Sequence, residues 1–132
     1  MTIEFDAAVF RTPNAPLTIE TVSLPSTPPP GDVLVRLKAS GLCHSDFHVL
    51  AGEWDVPAPM ILGHEGAGVV ESVGEGVTTL KKGDHVVLSW TPSCRRCRYC
   101  ISGRPVRCDM VAQHSANHLS FDGRSRITTE DG

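Results

Sequence analysis

The cysteine spacing constrains this chain more than any other feature. Cys94, Cys97, Cys100 and Cys108 form a C-x2-C-x2-C-x7-C pattern that holds four of the five cysteines. A tetrahedral zinc site needs four soft donors about 2.3 Å from the metal, and three thiolates at two-residue gaps can wrap one side of it while a fourth returns after a loop. Arg95, Arg96, Arg98, Arg104 and Arg107 are interleaved, and no acid follows until Asp109. Positive charge suits a complex in which four thiolates around Zn²⁺ leave a net negative charge. Two disulfides or a nucleic-acid-binding knuckle are the other uses of such a cluster, but thiols this close make strained disulfides. The spacing therefore predicts a structural zinc lobe over about residues 91–110.

The bulk properties bound the rest. With 132 residues the chain is long enough for one domain with a core and short for two, so a single domain over 1–132 is expected. A net charge of -3 argues against a nucleic-acid partner. No apolar run approaches the roughly 18–20 residues of a membrane span, so no membrane partner is expected. The start, Met1-Thr2-Ile3-Glu4-Phe5-Asp6, has neither a basic nor an apolar leader region, and cysteines used as thiolates imply a reducing cytoplasm.

Glycine and proline, 22 residues together (12 and 10), interrupt every apolar run before helix length, so short strands are predicted. Phe5–Phe10 and Leu17–Ser23 read as a strand pair split by the Pro13–Pro16 turn. Asp32–Ser40 alternates, with Val33, Val35, Leu37 and Ala39 expected on one face and Arg36 and Lys38 on the other. One short helix is expected after Cys43, with Ser45 or Asp46 as its N-cap and Gly52 as its stop. Met60–Leu62, Gly66–Val73 and Val86–Leu88 are further strand candidates. Phe121-Asp122-Gly123-Arg124 reads as a hairpin tip, followed by a strand over Ser125–Thr129.

The fifth cysteine stands in Gly41-Leu42-Cys43-His44-Ser45-Asp46-Phe47-His48, and downstream lies Gly63-His64-Glu65-Gly66. A catalytic zinc takes three protein ligands and keeps one open position, and Cys43 with His64 would form most of such a site. By themselves the two residues also suit blander roles, a small buried hydrophobe and a satisfied polar group. Trp54 and Trp90 suit core packing as well as a pocket wall. His85, His114 and His118 lack ligand spacing and receive no role.

Those two motifs, together with Gly66-Ala67-Gly68-Val69-Val70, Lys82-Gly83-Asp84-His85-Val86 and the four-cysteine lobe, resemble the zinc-dependent alcohol dehydrogenases of the medium-chain dehydrogenase/reductase superfamily. The resemblance spans nearly the whole chain. It implies a mainly β fold, a partly open GroES-like barrel with one short helix and a zinc-binding lobe. It implies Cys43 and His64 as catalytic-zinc ligands, with Glu65 an occasional third and Asp46 orienting the histidine from behind. Ser45 would take the alcohol proton and His48 would pass it on, while His44 would contact the coenzyme pyrophosphate. Trp54 and Trp90 would line the substrate pocket.

The same resemblance implies an NAD(P) cofactor, a small alcohol or aldehyde as substrate, and a homo-oligomer in the complete enzyme. Two family features are missing from this sequence. No glycine-rich βαβ stretch of a Rossmann coenzyme domain is present, and no cysteine follows Cys108 to serve as the family's further catalytic ligand. The expectation is an incomplete domain, inactive alone. A non-enzymatic zinc-binding module derived from the family is the alternative.

Overall fold

The computed structural model describes residues 1–111, 120 and 122–129. His114, His118 and Phe121 lie outside them. The chain divides into two compact units, Met1–Leu88 joined by the final strand, and Ser89–Arg126. The lobe expected near residues 91–110 lies within the second.

The first unit is built from short antiparallel strands. β1 (Thr2–Phe10) and β2 (Thr18–Pro25) form the expected pair, in register from Thr2 opposite Pro25 to Val9 opposite Thr18. β3 (Val33–Ser40) follows, and α1 (His44–Leu50) leads to β4 (Met60–Ile61), which pairs with the end of β1. β5 (Gly66–Val73) lies between β3 and β6 (His85–Val87) in a three-stranded sheet. β7 (Thr128–Thr129) pairs with β2, giving a four-stranded sheet in the order β4-β1-β2-β7. The turn at Asp122–Gly123 precedes β7, but the strand is shorter than the Ser125–Thr129 run expected, and it finds its partner in β2.

The core of this unit is small. Val9, Phe10, Val22, Val49 and Val70 are buried in it, and Pro28 is buried as well. Each such side chain removed from water contributes about 1.5–3 kcal/mol. Val49 is the residue that ties α1 to this core, and the backbone of Asn14 holds the helix end by donating to the Leu50 carbonyl at 2.7 Å.

Two expectations for this unit are corrected. The alternation of β3 does not persist: Val33 and Val35 are partly buried, whereas Leu37 and Ala39 are exposed. Arg36, Lys38 and Ser40 are exposed as well, so neither face of this half of the strand is covered; register irregularities lie between Leu34 and Val35 and between Leu37 and Ala39. The helix, for its part, starts two or three residues earlier than expected. Cys43 is the N-cap, with extended φ/ψ of -104° and 150°, and Asp46 is the third helical residue. The Asp46 carboxylate Oδ2 accepts the Cys43 backbone N–H at 3.1 Å, so it satisfies the helix start from inside. At the other end Gly52, with φ +74°, ends the helix as expected.

Within the second unit a further one-turn helix, α2 (Arg98–Ile101), and a 3-10 turn (Pro105–Arg107) add to the single helix expected from sequence. No described helix is long and apolar enough to cross a membrane.

Replacing Phe10, 2% exposed, with alanine is expected to lower the unfolding free energy by about 3 kcal/mol or more. Ile19→Ala, at a side chain 73% exposed in the adjoining strand, should change it by less than about 0.5 kcal/mol. Urea unfolding of both variants checks the contrast. A second expectation concerns Glu20, whose carboxylate is gripped by Arg11 through bonds of 2.8 and 2.5 Å and also by the Thr18 hydroxyl. The Arg11 bonds, then Thr18, hold its pKa down at about 2. A lowered folded-state value stabilises above the unfolded pKa of 4.5 and is lost as pH falls through about 2. Glu20→Gln should therefore unfold more readily than the parent at neutral pH, and the small difference should vanish near pH 2.

Candidate metal centres

The first candidate site forms where two strands end side by side. The β3–β5 ladder brings Ser40 opposite Gly66, and one step further the Gly41 N–H donates to the Glu65 carbonyl at 2.6 Å. Cys43, just past the end of β3, and His64, just before β5, are thereby brought to the same place. The Cys43 thiol, a His64 nitrogen and a Glu65 carboxylate oxygen lie within 4.8 Å of one another. Gly41 is required here, because a Cβ at that position would lie 2.2 Å from Glu65 Oε2. Thiolate, imidazole and carboxylate are a donor set that holds Zn²⁺ while leaving a fourth position open.

Asp46 stands behind this trio and is buried. Its Oδ1 lies 3.7 Å from His64 Nδ1, too long for a direct hydrogen bond, while Oδ2 is held by the Cys43 N–H. The carboxylate thus does its structural work at the helix start and faces the histidine from there. Ser45 Oγ is buried with no hydrogen-bond partner. A buried hydroxyl normally finds one, so this oxygen, two residues along from Cys43, keeps its hydrogen-bonding capacity for a ligand.

His44 and His48 lie one helical turn apart on α1, with their rings edge to face and centroids 4.8 Å apart. Trp54 stacks on His48 at 5.0 Å, and Glu53 bonds to His48 Nδ1. Glu53 carries no sequence signal except that it follows His48 by one helical turn and a sharp stop. Trp90 belongs to the second unit and is 59% exposed. His85 is the exposed first residue of β6.

The second candidate site is closed. The sulfurs of Cys94, Cys97, Cys100 and Cys108 all lie within 4.8 Å of one another, and all are free thiols. Cys97 caps α2 and Cys100 sits inside it, so the two-residue gap places both sulfurs on one side of a helical turn. Arg95 takes a left-handed φ of +60°, which turns the chain so that amides point at sulfur. The Cys97 N–H donates to Cys94 Sγ at 3.4 Å, and the N–H groups of Cys94 and Met110 donate to Cys108 Sγ at 3.3 and 3.4 Å.

These amides set the acidities. Cys94 is held down by the N–H groups of Arg96 and Cys97, and Cys97 is brought to about 6 by those of Asp109 and Cys100. Cys100 is pushed up to about 12, first by desolvation and then by the neighbouring Cys97 sulfur. Backbone N–H groups thus favour the thiolates of Cys94 and Cys97 beside the interleaved arginines, of which Arg98 lies over the Tyr99 ring at 4.6 Å. Backbone amides carry no sequence signal of their own, although C-x2-C spacing is the motif that aims them.

A model of the alcohol dehydrogenase GroES-like domain matches residues 29–125. The chain belongs to that family. Its fold is accordingly the mainly β, GroES-like one expected from the motifs. The NDMA-dependent alcohol dehydrogenase of Amycolatopsis methanolica is 49% identical over 106 residues, which is 80% of this chain and 28% of that protein. The S-(hydroxymethyl)glutathione dehydrogenase of Paracoccus denitrificans is 43% identical over 127 residues, 96% of this chain and 34% of that protein. Among solved structures, an alcohol dehydrogenase zinc-binding domain protein from Burkholderia ambifaria superposes with a TM-score of 0.86 at 41% identity, over 100% of this chain and 35% of the other. Benzyl alcohol dehydrogenase from Acinetobacter calcoaceticus does so with a TM-score of 0.83 at 35% identity, over 95% of this chain and 34% of the other. The chain therefore spans about a third of the length of these relatives.

The two centres differ in how well they should hold metal. Four thiolates close one, whereas two ligands and an exposed carboxylate make up the other. Zinc-loaded chain, mildly chelated, is expected to keep about one zinc, and that zinc should be lost in Cys97→Ala together with faster proteolysis between Arg95 and Arg107. Zinc uptake should release protons from the thiols and weaken as pH falls through about 6, where Cys97 takes up a proton. Metal analysis and a pH-stat titration read both effects.

Proposed function

We propose that this chain is the N-terminal catalytic-domain portion of a zinc- and NAD(P)-dependent alcohol dehydrogenase. The observation that carries the reading is the convergence of Cys43, His64 and Glu65 beside a Ser45 hydroxyl that is buried and unpartnered. In this reading Cys43, His64 and Glu65 hold the catalytic zinc, and Cys94, Cys97, Cys100 and Cys108 hold a structural one. Bound zinc would supply Lewis acidity that makes an alcohol hydroxyl easier to deprotonate, and the nicotinamide would accept hydride.

The chain's own part is to bind, orient and move a proton. Asp46 keeps the start of α1, and with it Cys43, against His64. Ser45 Oγ accepts the substrate hydroxyl proton, and His48, one turn along the same helix, relays it toward solvent. His44 is exposed beside His48, where an imidazole can donate to a coenzyme phosphate. Trp54 forms an aromatic wall near the relay, and Trp90 is read as a substrate contact on the family resemblance. The substrate is a small alcohol or its aldehyde. The protein is read as cytoplasmic, because thiolate ligands need a reducing compartment, and as a homo-oligomer in its complete form.

Hydride transfer also needs the nicotinamide held next to the reacting carbon, a positioning effect that contributes about 7–11 kcal/mol to lowering the barrier. The described residues contain no βαβ unit to hold it. The 132-residue chain alone is therefore expected to give no turnover. Nicotinamide reduction with short and aromatic primary alcohols at saturating zinc is the assay. Activity above that of a Cys43→Ala control would show that this chain binds coenzyme by itself.

A further inference from the structure

The loop that follows α1 folds back on one residue of that helix. The N–H groups of Glu53 and Trp54 both donate to the His48 carbonyl, at 2.9 and 3.3 Å. Sharing that acceptor brings their side chains onto the His48 ring from two directions. The Glu53 carboxylate meets Nδ1, and the Trp54 indole covers one face at 5.0 Å with only 21° between the planes. The edge of His44 closes a third side at 4.8 Å. Glu53 and His44 are the titratable groups that the described residues place against this ring.

We infer that Glu53 and Trp54 are positioning residues that lock His48 as its Nδ1–H tautomer and leave Nε2 as the proton-accepting nitrogen. A carboxylate can only accept, so its partner nitrogen must carry the hydrogen. The tautomer of an imidazole is set by the bond its other nitrogen makes. Without a partner the ring can put its hydrogen on Nε2 and close that port. The stacked indole opposes the ring flip that would put Cδ2 where Nδ1 now stands, since turning the ring would disturb the stack and break the carboxylate bond.

The inference rests on the proton-relay reading of His48 given above. Nε2 takes up the relayed proton to give an imidazolium, which then releases one proton to water, and no electrons move in either step. Neither Glu53 nor Trp54 touches the reacting atoms. They act by holding His48 ready, so that neither a tautomer exchange nor a rotamer change precedes each proton transfer.

The test reads the tautomer directly and does not depend on turnover. The zinc-loaded full chain is labelled with ¹⁵N, and long-range ¹H–¹⁵N imidazole spectra are recorded at about pH 8, where histidine side chains are ordinarily neutral. The His48 signals are identified by their loss in His48→Gln. In the parent chain Nδ1 is expected at a protonated, pyrrole-type shift and Nε2 at a pyridine-type shift, with nuclear Overhauser contacts between the His48 ring and the Trp54 indole. In Glu53→Ala the two nitrogen shifts should move toward each other or interchange. Glu53→Asp, which keeps a carboxylate one methylene shorter, should restore part of the difference.

An Nε2–H tautomer in the parent chain, absence of the indole contacts, or an unchanged pattern in Glu53→Ala would overturn the inference. The parent measurements decide the matter even if a variant fails to fold. Loss of the lock with zinc still bound at both centres would count against this inference alone. Failure of the chain to bind zinc at Cys43 and His64 would instead count against the relay reading.

Discussion

The antiparallel register of β3 on β5 is the constraint on which the first site depends. Ser40 pairs with Gly66, and the ladder continues one bond further through the Gly41 N–H and the Glu65 carbonyl. Because both strands end there, the residues just beyond one and just before the other must share the same small volume. A one-residue slip would turn His64 and Glu65 to opposite sides and separate them from Cys43. The absence of a side chain at Gly41 is part of the same device, since it gives Glu65 the space to lie across the strand end. Backbone hydrogen bonding therefore assembles the donor trio before any metal could.

The cysteine lobe works on a different principle. Among its described residues Cys108 is the buried one, in place of a hydrophobic side chain. A left-handed Arg95 and a one-turn helix bend the chain so that amide N–H groups converge on the sulfurs. Those dipoles favour thiolate at Cys94 and Cys97, while desolvation opposes it at Cys100. A divalent metal would settle that conflict by holding all four as thiolates, so its binding energy would be in large part the folding energy of the lobe. Short range suffices here: every donor lies in one continuous stretch.

Helix α1 links structure to chemistry in the first unit. Its N-cap is Cys43, its third residue is the Asp46 that caps it from within, and Val49 on its inner face anchors it to the core. Ser45 and His48 are consequently carried on a short rigid element whose inner side is packed and whose start is pinned. The loop after Gly52 then returns to His48 rather than leaving the site, which gives the imidazole neighbours on three sides.

Local chemistry was legible from the residues. Donor identity and the two-residue cysteine gaps announced the four-thiolate site, because groups so close in sequence can meet within one turn of backbone. Glycine and proline marked the turns for the same reason, and the helix stop at Gly52 followed from its positive φ. Which motifs meet was not legible from spacing: Cys43 and His64 were linked only through resemblance to a family, since their approach depends on the register of β3 and β5. Nor was the exposure of Leu37 and Ala39, because which stretch of a strand is covered depends on what packs over it rather than on its own alternation. The pairing of Glu53 with His48 belongs to the same class. The sequence by itself determined the donors, their local spacing and the turns, which act within a few residues. Only the tertiary structure decided which separated segments share a site, because that depends on hydrogen-bond register accumulated along whole strands.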